Sequence, residues 1–179
     1  MLATDECARL GLELPPVPED LIKSLGEFLA YRWSRNNPID LAASGGQTAL
    51  IKVLELVARS PAFDGIIHIG IGLSAFARLV VEGSFYFGKE EQTKLRELFL
   101  KGARKIDEVL AQKMLSLSQE LGKPILATSD TASTPSGENI AWQVLKEKSR
   151  LIYPTPNHSA RATSYLVRYQ EFLARKNKG

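Results

Sequence analysis

At 179 residues the chain is long enough for one α/β domain with a proper core. Its residues are 44% hydrophobic and 24% charged, an ordinary globular balance, and a net charge of +3 is too small and too dispersed to imply a nucleic-acid partner. No apolar run approaches a membrane span, residues 1–7 do not read as a secretory signal, and the single Cys7 excludes an internal disulfide and a cysteine zinc cluster, so the expected compartment is the cytoplasm.

Residues 2–10 read as a short helix stopped by Gly11. Residues 12–14 suit a brief strand before Pro15-Pro16. A helix over 19–30 follows, with Leu21, Ile22, Leu25, Phe28 and Leu29 on one face. Residues 33–38 form a polar link, and 39–41 a short strand or extended turn. Gly45-Gly46 opens a helix striped by Leu50, Val53, Leu54 and Val57, which Ser60-Pro61 ends. Ile66, Ile67, Ile69 and Ile71 then make a β-branched run, apolar on both faces, which predicts a strand in the middle of a parallel sheet. A helix starts near Ser74, and residues 82–88 form an aromatic loop. Residues 89–121 keep one apolar stripe in phase (Leu95, Leu98, Phe99, Ile106, Val109, Leu110, Met114, Leu117 and Leu121) and predict a long helix ended by Gly122. A second buried strand covers 123–128, a small-residue loop 129–136 and a helix 137–146. The last strand is Arg150-Leu-Ile-Tyr-Pro154. Thr155-Pro156 fits the cap and first turn of a helix running to 175, with a basic tail at 176–179. The alternation of strand and helix predicts an α/β fold with a mostly parallel sheet, as one domain over residues 1–175.

In such sheets ligands bind beyond the carboxyl ends of the strands. That places the first candidate site at Gly70, Ile71, Gly72, Leu73 and Ser74, where two glycines turn the chain into a helix whose free N–H groups favour an anion. The plain alternative is a tight strand-to-helix turn. Gly70-x-Gly72-x-x-Ala75 also fits a dinucleotide fingerprint, but that needs a second strand ending in an acidic residue about 20 residues on. Glu90 and Glu91 instead read as the start of the long helix. His68, inside the apolar run, reads as a core residue, and His158 as an exposed one; neither has Cys or carboxylate neighbours at metal-ligand spacing. Ser74 lacks the Gly-x-Ser-x-Gly elbow of a nucleophile. Asn37, Asp40 and Ser129 are placed to line the same crevice, with an Asx turn the simpler account of Asp40. The stripe over 89–121 is read as core packing, and its length also leaves room for a contact with a second subunit.

Four ordered blocks carry a family resemblance: Asn37-Pro-Ile-Asp-Leu41, Phe63-Asp-Gly-Ile-Ile-His-Ile-Gly-Ile-Gly72, Gly122-Lys-Pro-Ile-Leu-Ala-Thr128, and Tyr153-Pro-Thr-Pro-Asn-His-Ser-Ala-Arg-Ala162 with Leu166-Val-Arg-Tyr169. Together they resemble the second flavodoxin-like domain of the NDP-forming acyl-CoA synthetases, relatives of succinyl-CoA synthetase. The resemblance implies a flavodoxin-like three-layer sandwich near an ATP-grasp portion. It implies that Gly70–Ser74 faces a phosphohistidine on another domain, and that Asp40 orients that loop. It further implies partners that carry the CoA-binding, histidine-loop and ATP-grasp parts, with CoA, nucleotide and magnesium belonging to the assembled enzyme rather than to this chain alone. Family members begin the domain with a buried strand and Gly-rich turn that have no counterpart before Met1, so the first strand is expected to be missing. The family's Ser-His-Thr-Gly-type loop is absent, and residues 85–121 are longer and more helical than the family pattern. The expectation is a component of an acyl-CoA synthetase with no catalytic side chain of its own. The competing readings are a standalone interaction or regulatory module and a small nucleotide- or phosphate-binding protein.

Overall fold

The computed structural model describes residues 2–42, 46–84, 92–133 and 139–177. Several sequence expectations lie outside them: the helix opening at Gly45, the aromatic loop at 85–88, the helix starts at Lys89 and Gly137, residues 134–136 of the small-residue loop, and the last two residues of the tail. The elements are α1 (Leu2–Arg9), α2 (Glu19–Gly26), α3 (Gly46–Arg59), β1 (Ile66–Ile69), α4 (Leu73–Gly83), α5 (Thr93–Leu121), β2 (Ile125–Thr128), α6 (Ile140–Glu147), β3 (Ile152–Tyr153) and α7 (Pro156–Lys176). Among the described residues this is a mostly helical α/β fold with a small three-stranded sheet in the order β1-β2-β3. β2 and β3 run parallel, Ala127 opposite Ile152 and Thr128 opposite Tyr153.

The chain falls into two compact units, one of Met1–Ile67 with Thr155–Gly179 and the other of His68–Pro154. In the first unit α2 and α3 share a core of Val17, Leu21, Leu25, Leu29, Trp33, Ala49, Val53 and Phe63. The helical spacing within 21–29 and 49–53 puts these side chains on facing stripes, and removing them from water is what holds the pair together. α1 packs against α7, where the Glu6 carboxylate accepts from Arg9 and lies 3.8 Å from the Arg161 guanidinium. The Arg9 bonds hold the Glu6 carboxyl below its usual range. α7 begins as its sequence requires: Thr155 accepts from the His158 N–H, and Pro156 occupies the first turn.

In the second unit α5 packs against α4 and α6 and reaches β2. Its buried side is Ala103, Asp107, Leu110, Ala111, Met114 and Leu117, and Gly122 at φ 64° stops it. The stripe read from the sequence is therefore only partly interior, because Leu95, Leu98 and Phe99 are exposed. Two further expectations are corrected. Residues 12–14 form no strand, since they run into Pro15-Pro16 and have no neighbour strand; of the two forms read for 39–41, the turn is found, with the Ser34 N–H donating to Asp40 O at 2.9 Å. β1 is an edge strand rather than the central one, and Ile69 is 50% exposed. The middle place belongs to β2, whose Leu126, Ala127 and Thr128 are buried. The apolar run of β1 is only partly covered, and its composition does not say which of its edges is paired.

Candidate functional site

Chain direction reverses between β1 and α4 through two residues with positive φ, Gly70 at 95° and Gly72 at 105°, a region open to glycine at little cost. The Gly70 and Ile71 N–H groups both donate to the Thr128 carbonyl at the end of β2, at 2.9 and 3.3 Å. The next three donors meet a carboxylate from α5. Gly72 and Leu73 donate to Asp107 Oδ1 at 3.2 and 2.9 Å, and Ser74 to Oδ2 at 2.7 Å. The Ser74 hydroxyl also donates to Oδ2 and accepts the Ile140 N–H at the start of α6, at 3.0 Å. Each N–H from Gly70 to Ser74 thus has an acceptor within the chain.

Asp107 is 1% exposed. A buried carboxylate is stable only where donors surround it, and the unpaired first turn of a helix, with its positive dipole end, supplies them. The sequence reading leaves these donors open to an anion from outside; the structure gives them an anion from 33–35 residues further along the chain. One signal pointed to it. Asp107 falls in phase with Ala103, Leu110, Ala111 and Met114, on the side of α5 that is otherwise apolar.

Ser129 does lie beside the helix start, in a buried polar group with Thr131 and Asn139, which the sequence reading did not single out. Ser129 Oγ and Thr131 Oγ1 share a hydrogen bond of 2.8 Å, and Thr131 Oγ1 donates to the Gly72 carbonyl at 3.4 Å. Asn139 caps α6 by accepting the Trp142 N–H at 2.9 Å, while its Nδ2 donates to Thr131 Oγ1 at 3.4 Å. A Cβ on Gly72 would lie 2.6 Å from Thr131 Oγ1, 2.8 Å from Ser129 Oγ and 2.9 Å from Asn139 Nδ2. Here glycine answers to space as well as to φ.

Asn37 and Asp40 belong to the first unit. Asn37 Nδ2 donates to the Pro15 carbonyl at 3.2 Å, and the Asn37–Pro38 peptide is cis. Asp40 Oδ1 accepts the Ala42 N–H at 2.8 Å, and the Asp40 N–H donates to Ser34 Oγ, also at 2.8 Å. This is the Asx-turn arrangement, in which the carboxylate serves its own loop.

None of these groups forms a reactive constellation. The Ser74 hydroxyl faces a carboxylate with no histidine between them. Among the described residues no three His, Cys, Asp or Glu side chains gather as a metal would require. His158 Nδ1 is bonded to Thr155 Oγ1 at 2.7 Å. His68 Nδ1 is buried without a partner, and burial lowers the imidazole pKa from 6.5 to about 4. The folded state therefore holds His68 neutral, while the unfolded chain takes up a proton as pH falls below 6.5. Stability is full above pH 6.5, declines between 6.5 and about 4, and levels off below, for a total on the order of 3 kcal/mol. Urea unfolding across that range, compared with His68→Gln, is expected to show a shallower decline in the variant. Parallel curves would remove His68 as the cause.

No family model matches the chain, and no curated protein does. Among solved structures, that of PH0766 from Pyrococcus horikoshii OT3 is similar to it, with a TM-score of 0.62 at 22% sequence identity. The likeness covers 93% of this chain and 32% of the other, so the chain spans about a third of that protein's length. At that identity the two share a fold and a distant structural relationship.

Proposed function

We propose that the chain is a flavodoxin-like component of an NDP-forming acyl-CoA synthetase, which positions other parts of that enzyme and contributes no catalytic side chain. The observation that carries this is the set of four ordered sequence blocks, joined by a fold likeness that runs along 93% of the chain. The reaction of the whole assembly would interconvert acyl-CoA, NDP and phosphate with free acid, CoA and NTP. On this reading CoA, nucleotide and magnesium fall to the CoA-binding and ATP-grasp parts, and no chemical step is assigned to this chain.

The resemblance gives Gly70–Ser74 the task of facing a phosphohistidine. An arriving phosphoryl group would have to displace Asp107 from three N–H groups, or sit against its negative charge. We therefore assign the helix start to holding the shape of the loop that a partner domain meets, with Ser129 behind it and Asn37 and Asp40 shaping the loop of their own unit. The same occupancy favours a second reading, a non-catalytic interaction module that keeps the fold without the chemistry.

Mild isolation from the native source, followed by identification of each polypeptide recovered, separates the two. Recovery with ATP-grasp and histidine-loop chains, or within one longer polypeptide that contains them, is the expected result. A solitary chain would contradict the ligase role and leave the interaction module.

A further inference from the structure

The second half of α7 carries a stripe that the chain does not cover. Ala162, Tyr165, Tyr169 and Phe172 recur at spacings of three, four and three, with Leu166 and Leu173 beside them, seven apart. That is the seam of a helix meant to meet another helix. α7 buries Ser159, Ala160 and Ser164 near its start, whereas Tyr165 is 60%, Tyr169 61% and Phe172 53% exposed. Large aromatic side chains on a regular stripe cost solubility when left in water, and such a patch marks a contact.

Charge says what kind. Arg161, Arg168 and Arg175 stand seven residues apart along one side of the stripe. Arg161 is partly engaged by Glu6, at 3.8 Å, while Arg168 and Arg175 are exposed and have no ion-pair partner among the described residues. The single acid of α7, Glu171, is two positions from the seam residue Tyr169 and cannot face across it. A second copy of α7 laid antiparallel would set arginine against arginine; laid parallel, it would offer leucine, since Leu166 and Leu173 hold the other flank. Neither answers the arginines. We propose that the exposed half of α7 docks an amphipathic helix of another protein, one whose apolar seam is flanked by Asp or Glu. This proposal stands on α7 alone and does not require the ligase reading.

The test uses the full chain and two synthetic amphipathic peptides, each about three heptads long with leucine in the seam. One carries glutamate at the flanking positions, and the other lysine at the same places. Fluorescence anisotropy is expected to show the glutamate peptide binding at least ten-fold tighter than its lysine twin, with the preference weakened by salt. The double variant Arg168→Glu, Arg175→Glu, both changes on exposed side chains, should invert that preference while circular dichroism stays unchanged. Binding of neither peptide, or equal binding of both, would overturn the proposal. So would a concentration-dependent dimer of the chain, seen by sedimentation and abolished by Phe172→Asp, because the occupant would then be a second copy.

Discussion

Replacing Asp107 with alanine is expected to destabilise the fold by about 4 kcal/mol, since three backbone N–H groups and one hydroxyl lose their acceptor at a buried position, at about 1–3 kcal/mol for each group left bare and with partial relaxation. The loss is larger than that from cutting an exposed ion pair such as Arg78–Glu82, about 0–1 kcal/mol. Asp107→Asn keeps one oxygen for Gly72 and Leu73 but turns an amide donor toward the Ser74 N–H, so an intermediate loss of about 2 kcal/mol is expected. Urea unfolding of both variants provides the measurement. A loss under about 1 kcal/mol for alanine would mean that the α4 start does not depend on this carboxylate.

Gly72→Ala is expected to cost about 3–4 kcal/mol, the second largest effect, because strain and overlap add at one atom. The backbone there has φ 105°, and the new Cβ would stand 2.6–2.9 Å from three polar side-chain atoms of Thr131, Ser129 and Asn139. Gly70→Ala is the internal control. Its φ is 95°, yet nothing lies within 4 Å of its Cβ position, so only the strain of about 1–2 kcal/mol is expected. Equal losses at the two glycines would show that the polar group beside Gly72 yields freely. A larger loss at Gly72 would assign this glycine to the fold itself, before any activity of an assembly is considered.

Sequence reading reached furthest where the physics is local. The cap at Thr155, the first-turn Pro156 and the stop at Gly122 follow from neighbours in the chain, and each is found where the sequence puts it. The turn at Gly70 and Gly72 was legible for the same reason. What decides the character of the site was not local. Asp107 reaches its donors from α5, and a single charged residue on an apolar stripe does not say which helix end awaits it. Thr131 and Asn139 matter through a distance to Gly72 that no spacing in the chain encodes. The edge position of β1 likewise depends on which strands pair, a long-range choice to which four apolar residues contribute nothing. On α5 periodicity located the stripe but not its covering. The first turns of α5 and the second half of α7 carry large apolar side chains that are exposed.

The central claim is that the start of α4 is closed by the chain's own carboxylate rather than held open for an anion. The most direct test follows the backbone amide signals of Gly72, Leu73 and Ser74 in the isotopically labelled chain while inorganic phosphate is added to millimolar concentration. The account predicts that these three signals stay in place, because Asp107 holds the donors. Saturable movement of all three would contradict it and return the helix start to phosphate recognition.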